Sequence, residues 1–221
     1  MTSTASIRAI SDASSQPAVR GFLHVPDPAN GNGLVLTHGA GANCQSKLLT
    51  TLASAFAESG FTVLRCDLPF RQQRPHGPPS PGSAATDREG LRRAVEFLSA
   101  QVTRRVYLGG HSYGGRQATM LLAENKELAP GLLLLSYPLH PPRRPADLRT
   151  KHFPQLATPA LFIHGSRDPF GSIAEMESAL KLIPARVKLM EVAGAGHDLA
   201  SSKAAGDLTA EIVQAFKDFF D

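Results

Sequence analysis

Tryptophan is absent from this 221-residue chain, and 3 tyrosines and 11 phenylalanines bring the aromatics to only 6%. A stacking platform for nucleic-acid bases needs aromatic faces interleaved with basic residues, and no such stripe occurs. Cysteine is nearly missing as well. Cys44 and Cys66 form no C-x-x-C pair and stand near no metal-spaced histidine, so they read as two free thiols. No apolar run reaches the roughly 18 residues that a membrane-spanning helix requires. Met1 to Arg20 is rich in Ser, Thr and Ala and lacks the continuous apolar segment of a secretory signal, which makes the cytoplasm the expected location. Net charge is only +4, a weak basis for electrostatic attraction to nucleic acid or membrane.

What the chain does have is 42% hydrophobic residues, enough for a sizeable core, and its length suits one domain over residues 1–221. Ile7–Ile10 and Ala18–Val25 read as a hairpin. Strands and helices then alternate: strand 33–38, helix 46–59, strand 61–66, helix 84–100, strand 104–109, helix 113–124, strands 131–136 and 159–164, helix 172–182, strand 186–192 and helix 205–220. Repeated βα units predict an α/β fold, a mostly parallel central sheet with helices on both faces. Residues 67–83 read as one long proline-rich loop at a strand's carboxyl end. The stretch from Tyr137 to Thr158 leaves room for a short lid at most, which predicts an open, shallow pocket.

Gly110-His111-Ser112-Tyr113-Gly114 lies between the apolar run Val106–Gly109 and a helical stretch, so G-x-S-x-G falls at a strand-to-helix turn. A serine on so tight a turn projects its hydroxyl at the carboxyl end of the sheet, and small flanking residues let strand and helix approach. Two further strands end in candidate partners: Ala160–Ile163 runs into His164-Gly165-Ser166-Arg167-Asp168, and Val187–Val192 runs into a glycine-rich loop holding His197. Taken singly, Asp168 could cap the next helix and His197 could be an ordinary loop residue. Together they follow Ser112 in the order Ser, Asp, His, each at the end of a different strand. In that arrangement His197 is the general base for Ser112, and Asp168 holds its tautomer and stabilises the imidazolium.

The strand Leu34–Thr37 ends in His38-Gly39-Ala40-Gly41-Ala42-Asn43. A phosphate cradle of the P-loop type would need Gly-Lys-Ser/Thr here, and it is absent. The loop suits an oxyanion hole, with the amides of Ala40 and of Tyr113, the residue after the nucleophile, as donors. His38 reads as a brace for that loop and, with Phe70, Arg71, His111 and His140, as a candidate for the pocket wall. Arg71, Arg74, His76, His140, Arg143, Arg144, Arg149, Lys151 and His152 sit on the two inserts, and Arg116 opens the helix after the elbow. They read as solvated loop charge; the functional alternative is a cationic rim that steers an anionic substrate or an acidic partner.

His38-Gly39-Ala40-Gly41, Gly110–Gly115, Ser136-Tyr137-Pro138-Leu139, His164–Pro169 and Gly196-His197 together resemble the α/β-hydrolase superfamily. The closest likeness is to its small dienelactone-hydrolase-like branch, including the group related to a regulatory subunit of the eukaryotic NSL acetyltransferase complex. The resemblance runs from about Val19 onward and implies a serine hydrolase with little or no cap. Dienelactone hydrolases proper carry a cysteine nucleophile where this chain has Ser112, so the lactone chemistry does not carry over. The expected activity is cleavage of small acyl esters through an acyl-Ser112 intermediate, without metal or cofactor, by a monomer or homodimer acting on a small-molecule substrate that can be anionic. The rival readings are a non-catalytic interaction module of the same fold, which some NSL-related members resemble, and an acyltransferase or peptidase using the same triad.

Overall fold

The computed structural model describes residues 5–200 and 205–221, the side chains of 205–207 excepted. Strands β6 and β7 show why a sheet must form. β6 (Leu132–Leu135) and β7 (Ala160–Gly165) are fully buried runs with no alternation of polar and apolar residues, the pattern of parallel strands covered on both faces. Side chains nevertheless alternate between the two faces. Leu132, Leu134, Ala160 and Phe162 enter one core, and Leu133, Leu135, Leu161 and Ile163 enter the other.

Eight strands make one sheet in the order β1-β2-β4-β3-β5-β6-β7-β8. β1 (Ser6–Asp12) and β2 (Val19–Val25) form the expected hairpin, with Ser6 opposite Val25 and Asp12 opposite Val19. β2 runs antiparallel to β4 (Thr62–Cys66). From there β3 (Gly33–Thr37), β5 (Val106–His111), β6, β7 and β8 (Val187–Val192) continue in parallel. All their carboxyl ends therefore lie along one rim, the ligand side of an open α/β sheet.

Helices α1 (Lys47–Glu58) and α6 (Ala205–Phe220) cover one face, where Phe56, Phe61 and Phe216 meet edge to face with centroids 5.1 to 5.7 Å apart. The other face is covered by α3 (Ala84–Ser99), α4 (Tyr113–Glu124) and α5 (Ile173–Leu180) through Leu91, Val95, Leu98, Leu122 and Met176. Among the described residues no helix is long and apolar enough to cross a membrane.

Residues 67–83 are not one uninterrupted loop, because Pro69–Gln73 forms the short helix α2. Five residues give no readable periodicity. Pro69 suits the first turn because its ring fixes φ and it has no N–H to satisfy, and the buried Asp87 carboxylate accepts the Phe70 N–H at 3.0 Å. The stretch after Tyr137 forms no cap domain. Tyr137, Leu139, Phe153 and Leu156 are buried, and they pull it down onto the sheet rim.

Candidate active site

Ser112 follows β5 and is the residue before α4, with φ 50° and ψ −115°. A side chain at that positive φ is strained, and the strain persists only where the surroundings impose it. They do so by close packing: a Cβ on Gly110 would lie 2.6 Å from the Gly115 nitrogen, and one on Gly114 would lie 2.6 Å from the His38 oxygen. The turn is further pinned by Ser112 N–H donating to Leu135 O at 2.8 Å and Gly114 N–H donating to His38 O at 3.2 Å.

Three strand ends bring their side chains to this turn. The His197 Nε2 lies 2.7 Å from Ser112 Oγ, and its Nδ1 lies 2.8 Å from Asp168 Oδ2. A carboxylate oxygen accepts, so Nδ1 carries the proton and Nε2 is free to receive the hydroxyl proton of Ser112. Asp168 is fully buried in its side chain, while His197 is partly exposed. Its second oxygen, Oδ1, accepts the Phe170 N–H at 2.9 Å. The Phe170 ring then stacks on the imidazole, with centroids 4.1 Å apart at 30°. His111 donates from Nε2 to the His197 carbonyl at 2.8 Å, which ties the histidine loop to the residue before Ser112. Burial lowers the basicity of His111, so its ring stays neutral and acts as a positioning group.

The loop after β3 is held from two sides. Leu68 N–H donates to His38 Nε2 at 3.1 Å, which leaves the proton on Nδ1 to be donated to Gly39 O at 2.8 Å. Burial holds His38 below the usual histidine range, in keeping with that neutral tautomer. Gly39 O also accepts the Ala42 N–H at 3.1 Å. This carbonyl belongs to the same peptide unit as the Ala40 N–H, so two donors on one end polarise and orient the other. From the opposite side the Arg71 guanidinium donates to Ala40 O at 2.7 Å, Ala42 O at 2.8 Å, Gly77 O at 2.9 Å and Arg74 O at 3.0 Å. Among the described residues the Ala40 and Tyr113 amides donate to no other protein group.

Of the sequence-derived pocket candidates, only His111 borders open space. His38 is fully buried, with both nitrogens bound to backbone. Arg71 is also buried, and its donors are spent on carbonyls, because α2 folds its side chain under the loop that a free strand end would have left in solvent. Phe70 is buried between His38 and Tyr113, with ring centroids at 5.6 and 5.7 Å. The His140 ring is buried too, with Nδ1 2.8 Å from Pro141 O and Nε2 3.6 Å from Glu175. The open space beside the triad is instead a cavity of about 460 Å³ between α1, the histidine loop and α6. Leu48, Leu199, Leu208 and Ile212 line it, and Ala42 and His111 contribute to its wall.

Two contributors carried no sequence signal. Phe170 is merely an aromatic after a proline. Asp87 reads as a first-turn acid of α3, yet it is fully buried and accepts from Tyr113 Oη at 2.7 Å as well as from Phe70 N, thereby fixing the side chain after Ser112. Cys44 and Cys66 are free and buried, and burial raises both thiols, Cys44 to about 12. Neither is poised to be a nucleophile.

A mostly parallel sheet whose rim brings a strained serine, a histidine and a buried aspartate into one hydrogen-bonded chain defines the α/β-hydrolase class. The chain belongs to the α/β-hydrolase domain family, whose model matches residues 30–220. Among solved structures it is similar to dienelactone hydrolase from Anabaena variabilis ATCC 29413, at 21% identity and TM-score 0.77 over 98% of this chain and 99% of that one. It is similar to an α/β serine hydrolase without lid from Xanthomonas campestris, at 18% identity and TM-score 0.72 over 98% and 95%. Est1E from Butyrivibrio proteoclasticus matches at 15% identity and TM-score 0.74 over 95% and 97%. The dienelactone-hydrolase-like likeness holds at the level of fold. The likeness to the group related to an acetyltransferase-complex subunit rests on the motifs alone.

Proposed function

We propose that the protein is a serine esterase that cleaves small acyl esters through an acyl-Ser112 intermediate. The observation that carries this reading is the unbroken chain Ser112 Oγ to His197 Nε2 at 2.7 Å and His197 Nδ1 to Asp168 Oδ2 at 2.8 Å, set on a strained turn. As Ser112 Oγ attacks the ester carbonyl, its proton passes to His197 Nε2, and the buried Asp168 carboxylate stabilises the imidazolium. The carbonyl oxygen becomes an oxyanion facing the Ala40 and Tyr113 amides, a preorganised pair whose loop cannot turn away while His38 and Arg71 grip it. His197 returns the proton to the leaving alkoxide, and water attacks the acyl-enzyme by the same route in reverse. The partial exposure of His197 supports water as that acceptor. The apolar cavity against Ala42 and His111 is the proposed seat of the acyl chain.

Fluorophosphonate labelling tests this. Stoichiometric modification of Ser112 in the folded protein, abolished by Ser112→Ala and His197→Ala, is the expected result. It would be followed by a p-nitrophenyl ester series graded by acyl length. A folded protein that takes up no label, with no turnover of any ester, would sink the proposal.

A further inference from the structure

Arg88, Arg116 and Arg149 come from three separate elements, the second turn of α3, the first turn of α4 and the stretch after Tyr137, and all three are partly buried. Among the described residues the arginines paired with carboxylates are Arg92, Arg93 and Arg144. These three have no such partner. Arg88 Nη1 reaches only the neutral Gln117 Oε1, and Arg149 Nη1 only the Pro138 carbonyl, each at 3.3 Å. The Arg116 Nε is buried with no hydrogen-bond partner at all.

The three segments are tied together around Tyr137 and His152. Tyr137 donates its hydroxyl to the Arg149 carbonyl at 2.7 Å. Thr119 donates to the Arg116 carbonyl at 2.8 Å, so the His152 Nε2 lying 2.8 Å from its Oγ1 is the donor of that pair. Arg116 acts electrostatically on Tyr137, Arg149 and His152, and Arg88 acts on His152. Burial and these cations press His152 down to about 4, so it adds no positive charge at neutral pH and no negative charge to offset the others. The two acids flanking Arg88 in the chain are engaged elsewhere, Asp87 by Phe70 N, Tyr113 Oη and Ser83 Oγ, and Glu89 by Arg92 and Arg93. Three partly buried guanidinium groups with no carboxylate bound to any of them repel one another, and an anion held among them would relieve that cost.

The position gives the cluster a use. Arg116 N–H donates to Ser112 O at 2.9 Å, so Arg116 stands one helical turn beyond the nucleophile. Tyr137 continues from β6, which pairs with β5 beside the elbow. We propose that Arg88, Arg116 and Arg149 form an oxyanion site flanking the nucleophile, on the opposite side of the elbow from α1, and that it holds a carboxylate or phosphate group. Resting on the esterase reading, the group is the anionic end of the substrate, with a free anion as the other source of the same chemistry. The planar forks of the arginines suit either oxyanion by paired hydrogen bonds.

Two arms test this at constant ionic strength, with wild type, Arg149→Gln and Arg116→Met. The first titrates the protein with inorganic phosphate and with succinate by calorimetry. Saturable binding to wild type, weakened about tenfold or more in each variant, is the expected result. The second compares kcat/KM for mono(4-nitrophenyl) glutarate with that for 4-nitrophenyl butyrate, and the charged-to-neutral ratio is expected to fall about tenfold in each variant. A fall in the ratio assigns the site to the substrate. Binding lost in the variants with an unchanged ratio assigns it to a free anion. Binding without turnover of either ester overturns the esterase reading and leaves the oxyanion site standing. If wild type binds neither anion and the ratio is the same in all three proteins, the proposal fails. Arg149→Gln is the safer variant, because it removes a single 3.3 Å side-chain bond and leaves the Arg149 carbonyl that Tyr137 uses.

Discussion

Gly165→Ala is the substitution from which the structure forecasts most. Gly165 ends β7, three residues before Asp168, and lies against the loop that carries His197. A Cβ built there would sit 2.4 Å from Ala195 O and 2.6 Å from Gly196 O, both backbone atoms that no rotamer change can move. Ordinary contact begins near 3.4 Å, so the two loops must part by about 1 Å. The same loops are joined by Arg167 N–H donating to Ala195 O at 2.9 Å, and Gly196 directly precedes His197. A shift of that size removes the imidazole from the 2.7 and 2.8 Å bonds that hold it between Ser112 and Asp168. The expected loss is about 100-fold in the rate of fluorophosphonate labelling, which corresponds to about 2.7 kcal/mol of activation free energy. Overpacking should also lower the unfolding free energy by about 1–3 kcal/mol in urea. Gly41→Ala serves as control, since nothing lies within 4 Å of its added Cβ, and its stability should stay within about 0.5 kcal/mol of wild type. A Gly165→Ala protein with the wild-type labelling rate and urea midpoint would refute the claim that this contact sets the position of His197.

Arg71→Met should destabilise the protein by about 2–4 kcal/mol and slow labelling of Ser112, because it strips charge-assisted bonds from the Ala40 and Ala42 carbonyls; urea melts and labelling kinetics check this, and unchanged values in both would show that Arg71 does not support the loop after β3. Stability should fall on acidification. His24 is buried and held near pH 4 by desolvation and by Arg65, whereas the unfolded chain binds that proton near its ordinary value of 6.5. The stabilisation is therefore complete above pH 6.5 and is lost as the pH falls towards 4, by up to about 1.4 kcal/mol per pH unit; His24→Gln should flatten that slope in urea melts, and an identical slope would contradict it. Cys44 and Cys66 should resist Ellman's reagent at pH 8 until the protein is unfolded, and rapid reaction of the native protein would show that the thiols are not shielded as burial implies.

Much of the architecture was legible along the chain because it rests on local pattern. Fully apolar runs such as Leu132–Leu135 belong to strands buried on both faces, and amphipathic stretches between them belong to helices that cover those faces. The short helix α2 was not legible, since five residues carry no period. The candidate site divides along the same line. Ser112, Asp168 and His197 could be picked out because each follows a strand, and strand ends in a parallel sheet share one rim. The surroundings of those three residues could not.

Sequence by itself determined that a serine, an acid and a histidine would stand at the same edge of the sheet, because strand periodicity and chain order specify which ends are neighbours. Only the tertiary structure decided which charges are spent and which are spare. Arg71 and Arg116 are both arginines on the ligand side, yet Arg71 is consumed by four backbone carbonyls while Arg116 keeps a buried Nε without a partner. That difference arises from which carbonyls and carboxylates come within about 3 Å of a guanidinium once distant segments pack, and hydrogen bonding at that range leaves no trace in residue order.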